Sequence, residues 1–404
     1  MPYYYHSPRR KKSRKIFRKI ILITSVGISG YFIFSIFFTN KISQPSKAEN
    51  YNIDLAQTAS HQKPELKWPA YGQSAVGANG YGVLEAHNSG SPAPIASVAK
   101  VMTAIAVLDK HPLKVDELGP KIKITEKDEE FFNNHLEVGG ASVHLVKGTE
   151  INEYHTLQLM LMKSYNNTAD TLANWAFGSI DEYTKYANQK AKEIGMKNAN
   201  FADASGLSPN TTATASDLVA LGDYALDNPV IAEIVSTWQA YIPGFGEKTN
   251  TNQFLDFENN GVIGIKTGDT DEAGGTYLVA VKRAIEGAEI TLIASVMGAP
   301  NHFAGQKDTM PLIDSMQTGF KKIRLIEAGK ALGKIPLNET DSFEFGSKEN
   351  IEMLFWSGQK ITPKIELDSK ASSGENNTSL GNLMINTGTN NKTFPLVNLS
   401  QPVD

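Results

Sequence analysis

Apolar residues recur at helical spacing in the middle of the chain. Between residues 97 and 110, Val98, Val101, Met102, Ile105 and Leu108 fall on one face of a helix. The same spacing predicts further helices over 154–175, 181–194, 216–226 and 311–332. The pattern therefore indicates a helical region with one long helix closing the unit.

Short β-branched runs predict strands on both sides of these helices. Residues 71–88 alternate around Asn79-Gly80, a dipeptide that favours a two-residue hairpin turn. Residues 262–267, 276–282 and 290–296 are separated by glycine-rich or polar turns, as in an antiparallel meander. Strands, then helices, then strands within about 260 residues suggest a mixed sheet with a separate helical lobe, an α+β fold.

The pattern changes after Pro336. Residues 351–356, 360–367, 383–386 and 393–399 are short alternating runs, interrupted by a Ser/Asn/Gly-rich loop at 368–379. We expect a small β-rich C-terminal module at 340–404, which holds the preceding unit away from a membrane or contacts a partner. The alternative is a poorly ordered tail.

The N-terminal region contains a long uncharged segment. Residues 20–40 carry no charged side chain, and the apolar residues 20–38 would span roughly 28 Å as a helix, one bilayer crossing. Basic residues are concentrated before this run, so the N-terminus is predicted to stay in the cytoplasm and the rest to be exported. We therefore expect a cytoplasmic basic segment at 1–19, a transmembrane helix in the lipid bilayer at 20–40, and a linker at 41–66. A cleaved signal peptide ending at Ser46-Lys47-Ala48 is the alternative.

Composition excludes several function classes. Eight basic residues precede residue 20; the rest of the chain has 31 basic residues against 43 acidic ones, a net charge of −12. That charge repels phosphate backbones and argues against nucleic-acid binding. The absence of cysteine excludes disulfides, thiolate zinc sites, iron–sulfur clusters and a cysteine nucleophile.

No H-E-x-x-H pattern occurs, so we expect neither a metal nor a cofactor. Five histidines without paired ligand spacing are interpreted as surface or packing residues: His87, His111, His135, His144 and His155.

The strongest candidate nucleophile is Ser97. Lys100 follows it by three residues, a spacing that places a hydroxyl and an amine on one face of a helix. A lysine held partly neutral can accept the serine proton, and the helix N-terminus favours a developing oxyanion. The same S-x-x-K spacing occurs at Ser60 and Ser357, but only Ser97 opens an apolar helix.

Two further patterns carry polar groups suited to a peptide substrate. Ser164 and Asn166 follow an apolar segment, where a second hydroxyl could relay a proton and an amide could orient a peptide group. Lys266 and Thr267 end an apolar strand and suit a carboxylate, with Gly268 allowing close approach of the substrate backbone. Taken singly, each pattern is more typical of a helix cap or a strand end than of a site.

The three patterns occur together and in this order. The gaps are 64 residues from Lys100 to Ser164 and 100 residues from Asn166 to Lys266. In this arrangement the chain resembles the penicillin-recognising serine acyltransferases, and in particular the D-alanyl-D-alanine carboxypeptidases, the low-molecular-mass penicillin-binding proteins. The likeness spans roughly residues 66–330 and includes four longer stretches: PIASVAKVMTAIAVL, GASVHLVKGTEI, AKEIGMKNANFADASGL and GVIGIKTGDTDEAGGTYLVA.

The resemblance implies a fold and a substrate class. It implies a β-lactamase/transpeptidase-like two-lobed domain at 67–332, an antiparallel sheet with flanking helices plus a helical lobe. The implied activity is removal of the terminal D-alanine from peptidoglycan stem peptides, with β-lactams as inhibitors. More faintly, 345–404 resembles the β-rich C-terminal module of some members.

The resemblance also implies roles for individual residues. Ser97 would form an acyl-enzyme, with Lys100 as general base and Ser164 as proton relay. Asn166 would contact the acyl side of the substrate. The remaining implied contacts are a carboxylate clamp at Lys266, Thr267 and Gly268, and an oxyanion hole from the backbone N–H groups of Ser97 and Asp269.

One departure and three alternatives remain open. Asp269 stands where the family usually carries an uncharged or aromatic residue. Like-charge repulsion is therefore expected to weaken substrate binding, and a neutral residue at this position is expected to raise activity.

An endopeptidase cutting cross-links would use the same residues. A class A β-lactamase is disfavoured because no glutamate between Asn166 and Lys266 begins an E-x-x-L-N stretch. A catalytically degenerate wall-binding protein is the non-enzymatic alternative.

Overall fold

The computed structural model of the chain describes residues 57–255, 257, 260–336, 340–368 and 379–400. The expected cytoplasmic segment, the expected transmembrane helix and most of the expected linker lie outside these residues. Within the described ranges, no helix combines the length and the apolar character needed to cross a bilayer.

Eight α-helices form within the described residues. Several begin with side-chain caps, such as Thr214 accepting a hydrogen bond from the backbone N–H of Asp217. The helices are α1 (Ala99–Lys110), α2 (Glu126–Glu137), α3 (Glu153–Lys163), α4 (Asn166–Phe177), α5 (Ile180–Glu193), α6 (Ala215–Leu226), α7 (Pro229–Ser236) and α8 (His302–Met316). The helices expected from the sequence within 97–226 are confirmed, with one division described below.

Twenty strands form in the same part of the chain. In the order of the sequence they are β1 (Gln57–Thr58), β2 (Gln73–Ala78), β3 (Gly82–His87), β4 (Ala93–Pro94), β5 (Lys121–Lys123), β6 (Glu150–Asn152), β7 (Thr212–Ala213), β8 (Gln239–Ile242), β9 (Gly246–Thr249), β10 (Val262–Thr270), β11 (Gly274–Ile285), β12 (Ala288–Ala299), β13 (Phe320–Ile326), β14 (Ala331–Pro336), β15 (Ser342–Gly346), β16 (Ile351–Trp356), β17 (Lys360–Ile361), β18 (Pro363–Leu367), β19 (Gly381–Asn386) and β20 (Asn391–Asn398).

The central sheet has the strand order β10-β11-β12-β2-β3. All neighbouring strands pair antiparallel, so the expected mixed sheet is wrong and the expected meander and the hairpin over 71–88 are confirmed. Tight turns join β2 to β3, β10 to β11 and β11 to β12, and such short connections produce antiparallel neighbours. This topology leaves β10 at one edge of the sheet.

Helices cover both faces of this sheet. Side chains of β11 alternate between the two faces: Leu278 belongs to the core shared with α1, α3, α4 and α6. Val279 belongs to the opposite core, in which Leu312 and Ile313 of α8 pack. Burial on both faces explains why the three strands β10 to β12 read as nearly continuous apolar runs rather than as a strict alternation.

Two boundaries differ from the sequence expectations. The helix expected over 154–175 is divided at Ser164, which adopts a left-handed conformation with φ 63° between α3 and α4. The helix expected over 311–332 ends at Met316, and the chain continues as β13. Strand β13 pairs with β16, which lies later in the chain, so tertiary pairing overrides the local helical spacing of this segment.

The C-terminal residues form β-structure next to the central sheet. A five-stranded sheet with the order β14-β15-β20-β19-β18 encloses a separate apolar core. The loop before β20 contacts two elements of the preceding unit. Thr387 Oγ1 donates to the Gly80 carbonyl of the β2–β3 hairpin at 2.7 Å, and Thr389 Oγ1 donates to Asp223 Oδ2 of α6 at 2.7 Å. The short strands expected in this region are confirmed, and the described part is not the poorly ordered tail of the alternative.

Candidate active site

Ser97 lies in a single 3₁₀ turn, Ala96–Val98, immediately before α1. Ala96 has a φ of 47°, a left-handed conformation that is uncommon for a residue with a side chain. Strand β10 passes close to this turn: a Cβ added to Gly268 would lie 3.0 Å from the Ser97 backbone nitrogen. Glycine at position 268 therefore lets the sheet edge approach the candidate nucleophile.

The Lys100 amine is surrounded by three oxygen atoms. Nζ lies 2.8 Å from Ser97 Oγ, 2.7 Å from Asn166 Oδ1 and 2.7 Å from the Ser205 carbonyl oxygen. The side chain is fully buried on α1. Burial lowers the pKa of Lys100 to about 7, against the opposing effect of the Asp203 and Asp170 carboxylates, which raise it.

This set of neighbours determines where the free electron pair of Lys100 points. Asn166 Oδ1 and the Ser205 carbonyl accept hydrogen bonds and cannot donate them. A neutral amine has two N–H groups, and these are used by the two acceptors. The lone pair then faces the remaining neighbour, the Ser97 hydroxyl. The arrangement can therefore take a proton from Ser97.

The Ser205 carbonyl is held in place by an Asp203-centred loop. Asp203 Oδ2 accepts from Ser205 Oγ at 2.7 Å and from the Leu207 backbone N–H at 2.9 Å, and Oδ1 accepts from Thr211 Oγ1 at 2.5 Å. This loop, part of the ADASGL stretch quoted above, was not assigned a role from the sequence. Its contact with Lys100 joins residues 105 positions apart, which no local pattern could reveal.

Ser164 and Asn166 lie at the junction of α3 and α4. Asn166 is the first residue of α4; its backbone N–H donates to the Ala141 carbonyl at 2.7 Å and its side chain binds Lys100. The next residue, Asn167, forms two hydrogen bonds with the backbone of Val143 and so joins α4 to the segment that follows Gly140 and Ala141 of the cavity lining.

Lys266 and Thr267 lie on the edge strand β10. Lys266 is buried, and its Nζ donates to the Thr267 carbonyl at 2.9 Å. The pKa of Lys266 lies well below its ordinary value. Burial is the largest cause, and the charges of Lys100 and Lys163 lower the pKa further. Thr267 Oγ1 is within 2.7 Å of Thr251 Oγ1. A buried amine with one backbone contact can gain from an arriving carboxylate.

A cavity of about 650 Å³ joins these elements. Six of the eight residues expected from the sequence line it: Ser97, Ser164, Asn166, Thr267, Gly268 and Asp269. The other two, Lys100 and Lys266, are buried. The structure thus brings the three sequence patterns to one cleft, which also exposes Val138 on one wall and Asp271 and Glu272 on another.

Asp269 is not an isolated charge. Its Oδ2 accepts from the backbone N–H of His302 at 3.2 Å and lies 3.1 Å from His302 Nδ1. His302 also lines the cavity. Sequence reasoning missed His302 because it lies 33 residues after Asp269 at the start of another element, with no motif around it.

A second histidine also has a specific partner. His135 Nε2 lies 2.5 Å from Asp170 Oδ2, and both side chains are buried, so His135 is an interior residue that links α2 to α4. Burial raises the pKa of the Asp170 carboxyl, whereas the hydrogen bond from His135 lowers it. The sequence interpretation of His135 as a surface or packing residue missed this pairing.

Comparison with known proteins identifies the family. The sequence model of peptidase family S11, described as D-alanyl-D-alanine carboxypeptidase, matches residues 58–301. A D-alanyl-D-alanine endopeptidase of Escherichia coli is 32% identical over 218 residues, 52% of this chain and 66% of that enzyme, just under two thirds of its length. The D-alanyl-D-alanine carboxypeptidase DacF of Bacillus subtilis is 25% identical over 69% of this chain and 70% of its own.

The fold is shared with solved structures. A peptidoglycan synthesis regulatory factor, PBP3, from Streptococcus pneumoniae superposes with a TM-score of 0.65 at 20% identity, covering 83% of this chain and 99% of that one. At this identity the likeness concerns the fold, which is the penicillin-binding protein fold of helices and antiparallel sheets. Taken with the matched sequence model, the comparison shows that the chain belongs to the S11 family of D-alanyl-D-alanine carboxypeptidases.

Proposed function

We propose that the protein is a serine-type D,D-peptidase that acts on peptidoglycan stem peptides through an acyl-enzyme on Ser97. The observation that carries this proposal is the position of Lys100. Its Nζ lies 2.8 Å from Ser97 Oγ, and two acceptors occupy the two N–H groups of the neutral amine. A base and a nucleophile within hydrogen-bond distance are what acyl transfer requires.

In the acylation step, Lys100 takes the Ser97 proton as Oγ attacks the carbonyl carbon between the two terminal D-alanines. The pKa of about 7, caused by burial, leaves a useful fraction of Lys100 as the free amine near neutral pH. Ser164, which lines the same cavity, passes the proton to the departing amine. The backbone N–H groups of Ser97 and Asp269 stabilise the oxyanion.

The carboxylate of the terminal D-alanine binds at the β10 edge in this proposal. Thr267 lines the cavity and carries a hydroxyl, and the buried Lys266 supplies the positive charge once it is protonated. Asn166 contacts the peptide on the acyl side in this proposal, because it lines the cavity and its Oδ1 accepts a hydrogen bond from Lys100. The lining is suited to a peptide with a free carboxyl end.

We propose removal of the terminal D-alanine as the main reaction, with cleavage of cross-links as the second candidate. The endopeptidase name of the Escherichia coli relative supports keeping the second reaction. Mass spectrometry separates them: a stem pentapeptide loses one alanine under the first reaction, and a cross-linked dimer splits into two monomers under the second. No change in either substrate would favour a degenerate wall-binding protein.

Membrane attachment completes the proposal. The uncharged run at 20–40, preceded by basic residues, would anchor the chain in the cell membrane with the catalytic domain outside the cytoplasm. The C-terminal strands would then form a module between the catalytic domain and other surfaces. Cell fractionation followed by protease treatment of intact cells tests this arrangement, since only an exported domain is digested.

Covalent labelling by a fluorescent penicillin tests the nucleophile. We expect the full-length protein to be labelled and Ser97→Ala to abolish the label. Ser357→Ala is the matched control, because Ser357 has the same S-x-x-K spacing but donates its hydroxyl hydrogen to the His61 carbonyl. Labelling that survives in Ser97→Ala would refute the assignment.

A further inference from the structure

We propose that His302, oriented by Asp269, is the general base that activates the water hydrolysing the acyl-enzyme. This inference rests on the proposed function and adds a residue for its second step. It starts from two contacts to one carboxylate oxygen: Asp269 Oδ2 lies 3.1 Å from His302 Nδ1 and 3.2 Å from the His302 backbone nitrogen.

These contacts determine the proton position on the imidazole ring. An ionised carboxylate can only accept, so the hydrogen of the neutral ring lies on Nδ1. Nε2 then carries the lone pair. A carboxylate that orients an imidazole in this way is the arrangement by which histidine acts as a base in acyl transfer.

The backbone holds the pair in place from two sides. Asp269 lies on β10 directly opposite Gly275 of β11, and a Cβ added to Gly275 would lie 2.2 Å from the Asn301 carbonyl oxygen. The turn before α8 therefore packs directly on the sheet beside Asp269. Asn301 caps α8 by accepting from the Ala304 backbone N–H at 2.9 Å, which fixes the start of the helix at His302.

The pair lies on the side of the cavity where the leaving group is expected. Asp269 follows Thr267 and Gly268 on β10, and all of them line the cavity with Ser97 and His302. Once the terminal D-alanine leaves, water can occupy its place and attack from the same side. The side chains of His302 and Asp269 are 47% and 42% exposed, so water reaches them and protons can leave.

The proton balance of hydrolysis is complete with these groups. His302 Nε2 takes one proton from water as the water oxygen forms a bond to the acyl carbon. The tetrahedral intermediate collapses by breaking the bond from carbon to Ser97 Oγ, which takes the second proton of the former water, with Lys100 hydrogen-bonded to Oγ. The product leaves as a carboxylate, and His302 returns its proton to solvent.

The other acidic groups at this wall define a competing candidate. Asp271 and Glu272 line the same cavity, and a glutamate is the deacylating base in class A β-lactamases. Within the described residues neither of them forms a hydrogen bond with His302, and Asp269 alone of the three contacts the ring. The test therefore compares His302→Gln with Glu272→Gln.

The experiment measures two rate constants on the full-length protein. Acylation is followed by the rise of fluorescent penicillin label. Deacylation is followed by the steady-state hydrolysis of an acyl-D-alanyl thioester, whose thiol departs on acylation and vacates the place of the terminal D-alanine. For His302→Gln we expect deacylation to fall about 100-fold, the usual contribution of a general base, while acylation changes less than about threefold. Asp269→Asn should lower deacylation by a smaller factor. If Asp269 acted only by repelling the substrate carboxylate, the same substitution would speed acylation and leave deacylation unchanged.

Chemical rescue separates proton transfer from a structural effect. His302→Ala retains the backbone N–H contact to Asp269, and imidazole in solution should restore deacylation. His144→Gln, which changes an exposed histidine beside Phe132, is the control. Unchanged deacylation in His302→Gln, loss confined to Glu272→Gln, or equal loss of both steps would overturn the proposal. Absence of any Ser97 label in the unmodified protein would instead refute the proposed function.

Discussion

Lys100 combines a buried amine with two nearby carboxylates. Burial lowers its pKa to about 7, and the charges of Asp203 and Asp170 raise it from a still lower value. The free amine is the reactive form in the proposed acylation, so the acylation rate should rise with pH through about pH 7 and then level off. The position of this rise is a direct measure of the charge environment around Lys100.

Removing one of these carboxylates should move the profile in a known direction. Asp170→Asn deletes a negative charge that stabilises protonated Lys100, so the pKa of Lys100 should fall and the acid limb should shift to lower pH by roughly half to one unit. Penicillin acylation rates measured between pH 5 and 9 test this prediction. Asp181→Asn on the exposed side of α5 is the control, and a shift to higher pH would contradict the prediction.

Lys266 is expected to discriminate substrates by their terminal charge. The buried amine has no carboxylate partner within the described residues, and an arriving substrate carboxylate should favour its protonated form. Lys266→Ala should lower kcat/KM for a free-carboxylate peptide about 10- to 100-fold and change little for the amidated peptide. Equal losses on both peptides would argue against the clamp, with Lys282→Ala, on the exposed end of β11, as control.

At the scale of elements, the contact between β10 and the Ser97 turn is set by a missing side chain. A Cβ at Gly268 would lie 3.0 Å from the Ser97 nitrogen and 3.2 Å from the Ile95 carbonyl oxygen, so the edge strand and the turn would have to separate. The proposed oxyanion hole uses N–H groups from these two elements. Its geometry therefore depends on their separation.

Gly268→Ala should impair chemistry more than stability. We expect acylation to slow by about 10- to 100-fold, because loss of one oxyanion donor costs about 100- to 1,000-fold and a displaced donor costs less. A modest fall in melting temperature should accompany it. Gly90→Ala is the matched control, since nothing lies within 4 Å of the added Cβ there. A normal acylation rate in Gly268→Ala would show that the two elements adjust without loss of the oxyanion contacts.

At the scale of the whole molecule, Asp223 of α6 connects the central domain to the C-terminal strands. Its carboxylate accepts from the Gly80 backbone N–H at 2.8 Å, from Asn79 Nδ2 at 3.0 Å and from Thr389 Oγ1 at 2.7 Å. Burial raises the pKa of Asp223, and these hydrogen bonds lower it. The contact lies at the β2–β3 end of the sheet, opposite the β10 edge that carries the site.

Weakening this connection should change stability without changing acylation. Thr389→Val removes one donor to a buried carboxylate and should lower the free energy of unfolding by about 1 to 2 kcal/mol. Thermal or urea unfolding of the full chain measures the loss, and Thr393→Val at an exposed position of β20 is the control. A slower acylation at unchanged stability would instead indicate that the C-terminal strands act on the site.

The sequence by itself determined the local elements and the reacting groups. The alternation around Asn79-Gly80 and the three β-branched runs predicted the central strands, because β-propensity and turn residues act over a few positions. Ser97 and Lys100 are one helical turn apart, so their proximity follows from spacing alone. The motif order then identified the family.

Only the tertiary structure decided which elements pair and which distant side chains contact the reacting groups. The ending of the last helix at Met316 depended on a pairing partner later in the chain, β16. The third contact of Lys100 comes from Ser205, and the partner of Asp269 is His302, both on elements that spacing does not connect. Such contacts arise from how the elements pack, and hydrogen bonds between distant residues leave no period in the sequence. For this reason the sequence alone presents Asp269 only as a charge that repels a substrate carboxylate. Its contact with His302, the first residue of α8, is a feature of the tertiary structure.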